Sequence, residues 1–101
     1  MDGVVTVTLS GRELKISIRG RFNFDTYSQF HEACGRISSK NLRVIVDLSD
    51  TEYIDSAGLG MLIFLRSQID IHESYIEIVN VAPDVRKVLE NSNFQRLFKI
   101  S

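Results

Sequence analysis

An α/β domain is predicted, with a mixed β-sheet of four to five strands and three main helices. Three observations carry this expectation. Two stretches near the start alternate apolar and polar residues on either side of Ser10-Gly11, the pattern of an antiparallel hairpin. Three later segments space their apolar residues by three and four, the period of a helix with one buried face. Short Val- and Ile-rich runs lie between those helices, so strands joined through helices should run parallel in right-handed crossovers.

Val5, Val7 and Leu9 alternate with Thr6 and Thr8, and Leu14, Ile16 and Ile18 with Glu13, Lys15, Ser17 and Arg19. Gly20 is expected to end the second strand. Asn23 or Asp25 can cap the helix that follows, with Tyr27, Phe30, Cys34 and Ile37 on its buried face. Ser38, Ser39 and Asn41 mark a loop. Leu42 to Leu48 contains Val44-Ile45-Val46, a continuous apolar run that suits a central strand covered on both sides. A polar, acidic loop from Ser49 to Asp55 follows. Ala57 to Ile71 reads as a helix with Leu59, Leu62, Leu65 and Ile69 on one stripe, and Ile76 to Val79 as a strand. Pro83 fits the first turn of a third helix, where its missing N–H costs nothing. Val85, Val88 and Leu89 supply that helix's buried face. Leu97, Phe98 and Ile100 form a short last strand or a packed tail.

Composition narrows the function classes. The chain has 101 residues, one domain's worth, so a single domain over 1–101 is expected. With 12 Lys+Arg against 13 Asp+Glu and a net charge of -1, it carries no electrostatic footprint for nucleic acid. The most apolar window, Ala57 to Leu65, contains two glycines. It is far short of the roughly 20 residues a membrane helix needs. One cysteine, Cys34, excludes an internal disulfide and a multi-cysteine metal site. An acidic start without a basic leader points with it to a reducing, cytoplasmic setting. His31, His72 and Cys34 are too scattered for a metal ligand set, and no cofactor motif is present. Gly58-Leu59-Gly60 is no phosphate loop, because no Gly-Lys-Ser/Thr follows it.

The segment from Val44 to Gly60 carries the chemistry. A buried strand enters an acidic loop, and the loop delivers Ser56 to a helix start, where unpaired N–H groups leave partial positive charge. Ser56 is there either as a simple helix cap or as a presented hydroxyl. Gly58 and Gly60 bear on the choice, since each glycine in a helix costs roughly 1 kcal/mol against alanine. They serve either a docking surface or close packing of helix on sheet. Nucleophilic catalysis is the weakest use of the hydroxyl. Ile54-Asp55-Ser56-Ala57-Gly58 lacks the first glycine of a nucleophile elbow. His72 would lie roughly 24 Å along the same helix, and His31 has no evident orienting partner. Phosphorylation is the stronger use, because a dianion on a tight contact would evict a bound protein.

The motif Asp47-Leu48-Ser49-Asp50-Thr51-Glu52-Tyr53-Ile54-Asp55-Ser56-Ala57-Gly58-Leu59-Gly60, in this order of elements, resembles the STAS domain family, and within it the anti-sigma factor antagonists of bacteria. The resemblance spans essentially the whole chain. It implies a STAS-like fold and a non-enzymatic regulator whose Ser56 is phosphorylated by a partner serine kinase, often the anti-sigma factor itself. A PP2C-like phosphatase would reverse the modification. The unmodified form binds and the phosphorylated form is released. The implied partner surface comprises Asp55, Ala57, Gly58, Leu59 and Gly60, with Asn23 and Asp25 from the neighbouring loop. Asn23 and Asp25 also suit a strand stop and helix cap, and Phe22 and Phe24 suit core anchors, with an exposed contact role for one of the two as the lesser alternative. Ala57 stands where many relatives carry serine or threonine, which leaves Ser56 the one hydroxyl of the Asp-Ser-x-Gly motif. The chain stops at Ser101, where some relatives continue into another helix, and residues 94–100 are candidates to cover that surface. The stretch from Asp84 to Phe98 resembles a proteobacterial subgroup linked to biofilm or motility. Its members answer to a response regulator that combines kinase-like and phosphatase domains. STAS domains also serve as constitutive subunits of transport ATPases or signalling assemblies, the competing implication.

Overall fold

Strand β1 (Val4–Ser10) turns back through Gly11 and Arg12 into β2 (Glu13–Phe22), the antiparallel hairpin expected from the alternation. The structure, a computed structural model, describes residues 3–37, 42–69 and 75–101. A 3-10 turn (Phe24–Thr26) leads into α1 (Tyr27–Cys34). Then come β3 (Arg43–Asp47), a short β4 (Thr51–Ile54), α2 (Ser56–Ser67) and β5 (Tyr75–Val79). The chain closes with α3 (Pro83–Asn91), a 3-10 turn (Phe94–Arg96) and the two-residue β6 (Lys99–Ile100). Residues 38–41 of the expected loop, and residues 70 and 71 of the second expected helix, lie outside the described residues.

The main sheet has the order β1-β2-β3-β5-β6, with every pair after the first parallel. Strand period sends alternate side chains to opposite faces. Leu14 and Ile16 on β2 therefore meet Val44 and Val46 on β3, these meet Ile76 and Ile78 on β5, and Ile18 joins the same core. Against this face pack Phe30, Ala33 and Cys34 of α1, Leu62 and Leu65 of α2, and Val85 and Leu89 of α3. Burying each such large apolar side chain contributes about 1.5–3 kcal/mol. β3 is buried from Val44 through Asp47, which bears out its reading as a central strand. Pro83 opens α3 as expected. The tail packs and also forms a strand: Phe94 and Phe98 are buried and stacked, and the Ser101 N–H donates to the Ile78 carbonyl.

Two local expectations are corrected. Gly20 does not end its strand. It sits at φ 85, a left-handed value that favours glycine, in an irregularity where β2 changes partner. Before it β2 pairs with β3; from Gly20 to Phe22 it pairs with β4. The second correction is β4 itself, which occupies part of the supposed acidic loop. It is tied down where the Thr51 hydroxyl donates to the Ile18 carbonyl at 2.6 Å and the Gly20 N–H to the Asp50 carbonyl at 2.9 Å.

Candidate functional site

β4 aims the chain at the start of α2. Asp55, in extended conformation, is the N-cap: its Oδ1 accepts the Gly58 N–H at 3.1 Å. The cap reading of Ser56 is thereby corrected. Ser56 is the first residue of the helix and is exposed. Among the described residues, no side chain or backbone group hydrogen-bonds its hydroxyl. Ala57 and Leu59 are half-buried beside it. No hydrogen bond joins His31 to Ser56 among the described residues, and His72 lies outside them.

The two glycines do different jobs. A Cβ on Gly58 would meet the Phe22 carbonyl oxygen at 2.4 Å and the Ile54 side chain at 2.7 Å. Gly58, expected on the partner surface, is instead buried where α2 rests on the end of β2. Nothing lies within 4 Å of where a Cβ on Gly60 would be, and Gly60 is exposed. Close packing thus explains the first glycine and, among the described residues, does not explain the second.

The loop after β2 lies along the same helix. Asn23 caps the 3-10 turn, its Oδ1 accepting the Asp25 N–H at 3.0 Å, and Asp25 is exposed. Phe22 is a core anchor, as expected, packed on Phe30 with ring centroids 5.3 Å apart. Phe24 is not: it is 72% exposed. Tyr27, expected on the buried face of α1, is also exposed. Phe24, Tyr27, His31 and Phe64 form a continuous ladder of ring contacts at 5.7, 5.6 and 5.2 Å. They line an apolar cleft of about 260 Å³ between α1 and α2, and Ala57 and Gly60 line it too. The sequence reading missed this cleft. The available signal was Ile63-Phe64, two large apolar residues off the buried stripe of α2.

Behind the site, Asp47 anchors the loop that leads to β4. Burial pushes its carboxyl up, but hydrogen bonds from Ser49, Lys15 and Asn80 outweigh this and hold it below the usual carboxylate range. On β5, Glu77 is held low by hydrogen bonds from the Ser101 and Tyr75 hydroxyls. Burial pushes the Cys34 thiol up to about 11. Among the described residues no three His, Cys, Asp or Glu side chains are grouped to hold a metal ion, and no helix is long and apolar enough to cross a membrane.

Comparison with known proteins follows the same lines. Residues 4–101 match the family model described as the STAS domain. The chain is 44% identical over 91 residues to a STAS-domain containing protein of Pseudomonas aeruginosa (strain UCBPP-PA14), covering 90% of each. Its fold is similar to the crystal structure of an anti-sigma factor antagonist from Mycobacterium paratuberculosis, with a TM-score of 0.83 and 18% identity over 97% of this chain and 84% of that one. The anti-sigma factor antagonist SpoIIAA in its unphosphorylated form gives a TM-score of 0.79 at 17% identity, over 97% and 88% of the two chains. SpoIIAA of Bacillus in its phosphorylated form gives 0.66 at 14% identity, over 97% and 91%. The chain belongs to the STAS domain family, and its fold is that of anti-sigma factor antagonists.

Proposed function

We propose that this protein is a partner-switching regulator controlled by phosphorylation of Ser56. With its hydroxyl free, it binds a protein serine kinase or anti-sigma factor through the start of α2. With a phosphate there, it lets go. The carrying observation is that Asp55 takes the cap while Ser56 stands exposed beside it, its hydroxyl unbonded among the described residues. A serine needed only to cap the helix would be redundant here, and the constitutive-subunit reading leaves its exposure unused.

The physics suits a switch. A phosphoserine adds about -1.5 to -2 charges at neutral pH. The helix N-terminus partly stabilises that charge and the neighbouring Asp55 opposes it, so the fold is little affected. A partner packed on the same surface must desolvate the dianion or leave. A loss of roughly 3 kcal/mol would weaken binding about a hundredfold. SpoIIAA, of like fold, has been solved in both unphosphorylated and phosphorylated forms, which supports a modification of this kind.

On this reading the single domain spans 1–101, has no enzymatic activity of its own and works in the cytoplasm. A PP2C-like phosphatase, alone or joined to the kinase in a response regulator, resets it. The output is transcriptional, with biofilm formation among the processes controlled. The test is incubation with the host's serine kinase and ATP. Wild type should take up one phosphate and Ser56→Ala none. Ser56→Ala should hold the partner permanently and Ser56→Asp should release it. A folded Ser56→Asp protein that binds as tightly as wild type would overturn the proposal.

A further inference from the structure

We propose that the cleft between α1 and α2 is the anchor of the Ser56 interface, taking one large apolar side chain (leucine, methionine or phenylalanine) from the protein partner. This rests on the reading of Ser56 as a docking site and adds the chemistry of what docks. Three observations carry it. The cleft is continuous with the serine, because Ala57 and Gly60, in the same first turns of α2, form part of its wall. It is lined by apolar and aromatic groups and His31, with no carboxylate, ammonium or guanidinium among them, so its occupant is uncharged. Its volume of about 260 Å³ falls below the roughly 300–1,000 Å³ of pockets that enclose drug-sized molecules, and it suits a single side chain.

Gly60 fits this role. Among the described residues nothing comes within 4 Å of where its Cβ would be, and Gly60 itself lines the cleft, so a large side chain there would compete with the partner's for that space. Phe24, 72% exposed, gives up most of its ring to water while leaning on Tyr27. Exposed apolar surface of this kind, gathered in one place, marks a protein contact. The side chain inserted there supplies affinity, and the hydroxyl beside it supplies the control.

The test places the photo-crosslinker p-benzoylphenylalanine at position 24 and irradiates host cells. In a Ser56→Ala background it should capture one protein, through an apolar residue located by mass spectrometry. The yield should collapse with Ser56→Asp and fall at least tenfold with Gly60→Leu, although Gly60→Leu melts no lower than wild type. Should Gly60→Leu fail to fold, Phe64→Ser, at an exposed position, must give the same loss. No crosslink, a crosslink to a second copy of this chain, or a yield that Gly60→Leu and Phe64→Ser leave undiminished while Ser56→Asp abolishes it overturns the cleft proposal and spares the switch. A yield that survives Ser56→Asp overturns the switch itself.

Discussion

Gly58 lies directly under the carbonyl oxygen of Phe22, so close that a Cβ at position 58 would stand 2.4 Å from it. This contact seats the start of α2 on the end of β2. It fixes where Ser56 emerges, two residues earlier on the same turn.

Gly58→Ala is therefore expected to destabilise the protein by about 1–3 kcal/mol, because the obstacle is main chain and cannot swing away. Gly60→Ala should do the reverse and stabilise by up to about 1 kcal/mol, since its side chain meets open space and glycine is a poor helix former. Urea unfolding of the two variants separates them by sign.

Removing the cap separates structure from switch. Asp55→Ala should cost about 1 kcal/mol of stability through loss of the bond to the Gly58 N–H. Ser56→Ala should stay within about 0.5 kcal/mol of wild type, as an exposed substitution without a partner does. A larger loss for Ser56→Ala in thermal or urea melts would mean that the hydroxyl serves the fold.

Acid should loosen the loop behind the site. The folded protein holds Asp47 below the ordinary carboxylate range. The resulting stability is present above the unfolded value of about 3.9 and drains away as pH falls through it toward the folded value. The gap in urea midpoint between wild type and Asp47→Asn should be widest near neutral pH and shrink in acid. A gap independent of pH would assign Asp47 no electrostatic role.

Cys34 should be nearly inert in the folded state. Its thiol is buried and pushed up to about 11, so little thiolate exists at pH 8. Because the folded value lies above the unfolded one, the stability it adds is present in neutral solution and lost as pH rises past about 8.5. Ellman's reagent should react slowly with native protein and quickly in denaturant.

Much of this was legible in the residues. The β1–β2 hairpin, the parallel strands and Pro83 followed from period and punctuation, where local chemistry and final fold agree. β4 was not legible, because Thr51–Ile54 owes its strand form to pairing with β2 beyond Gly20, a tertiary contact. The helix-start setting of Ser56 was legible, but the cap is Asp55, one residue earlier. Phe24 and Tyr27 misled for the opposite reason. Aromatic residues are usually buried for their apolar area, and nothing local distinguishes a ring that the fold leaves exposed from one that it buries. Gly58 and Gly60 looked alike in the sequence, and only the position of the Phe22 carbonyl tells them apart.

The most direct measurement is phosphate-affinity electrophoresis of the protein from its native host, wild type beside Ser56→Ala, across growth conditions. A retarded band that comes and goes with conditions in wild type and never forms in Ser56→Ala is the predicted result. A single unshifted band throughout, or a shifted band that persists without the Ser56 hydroxyl, would contradict the account.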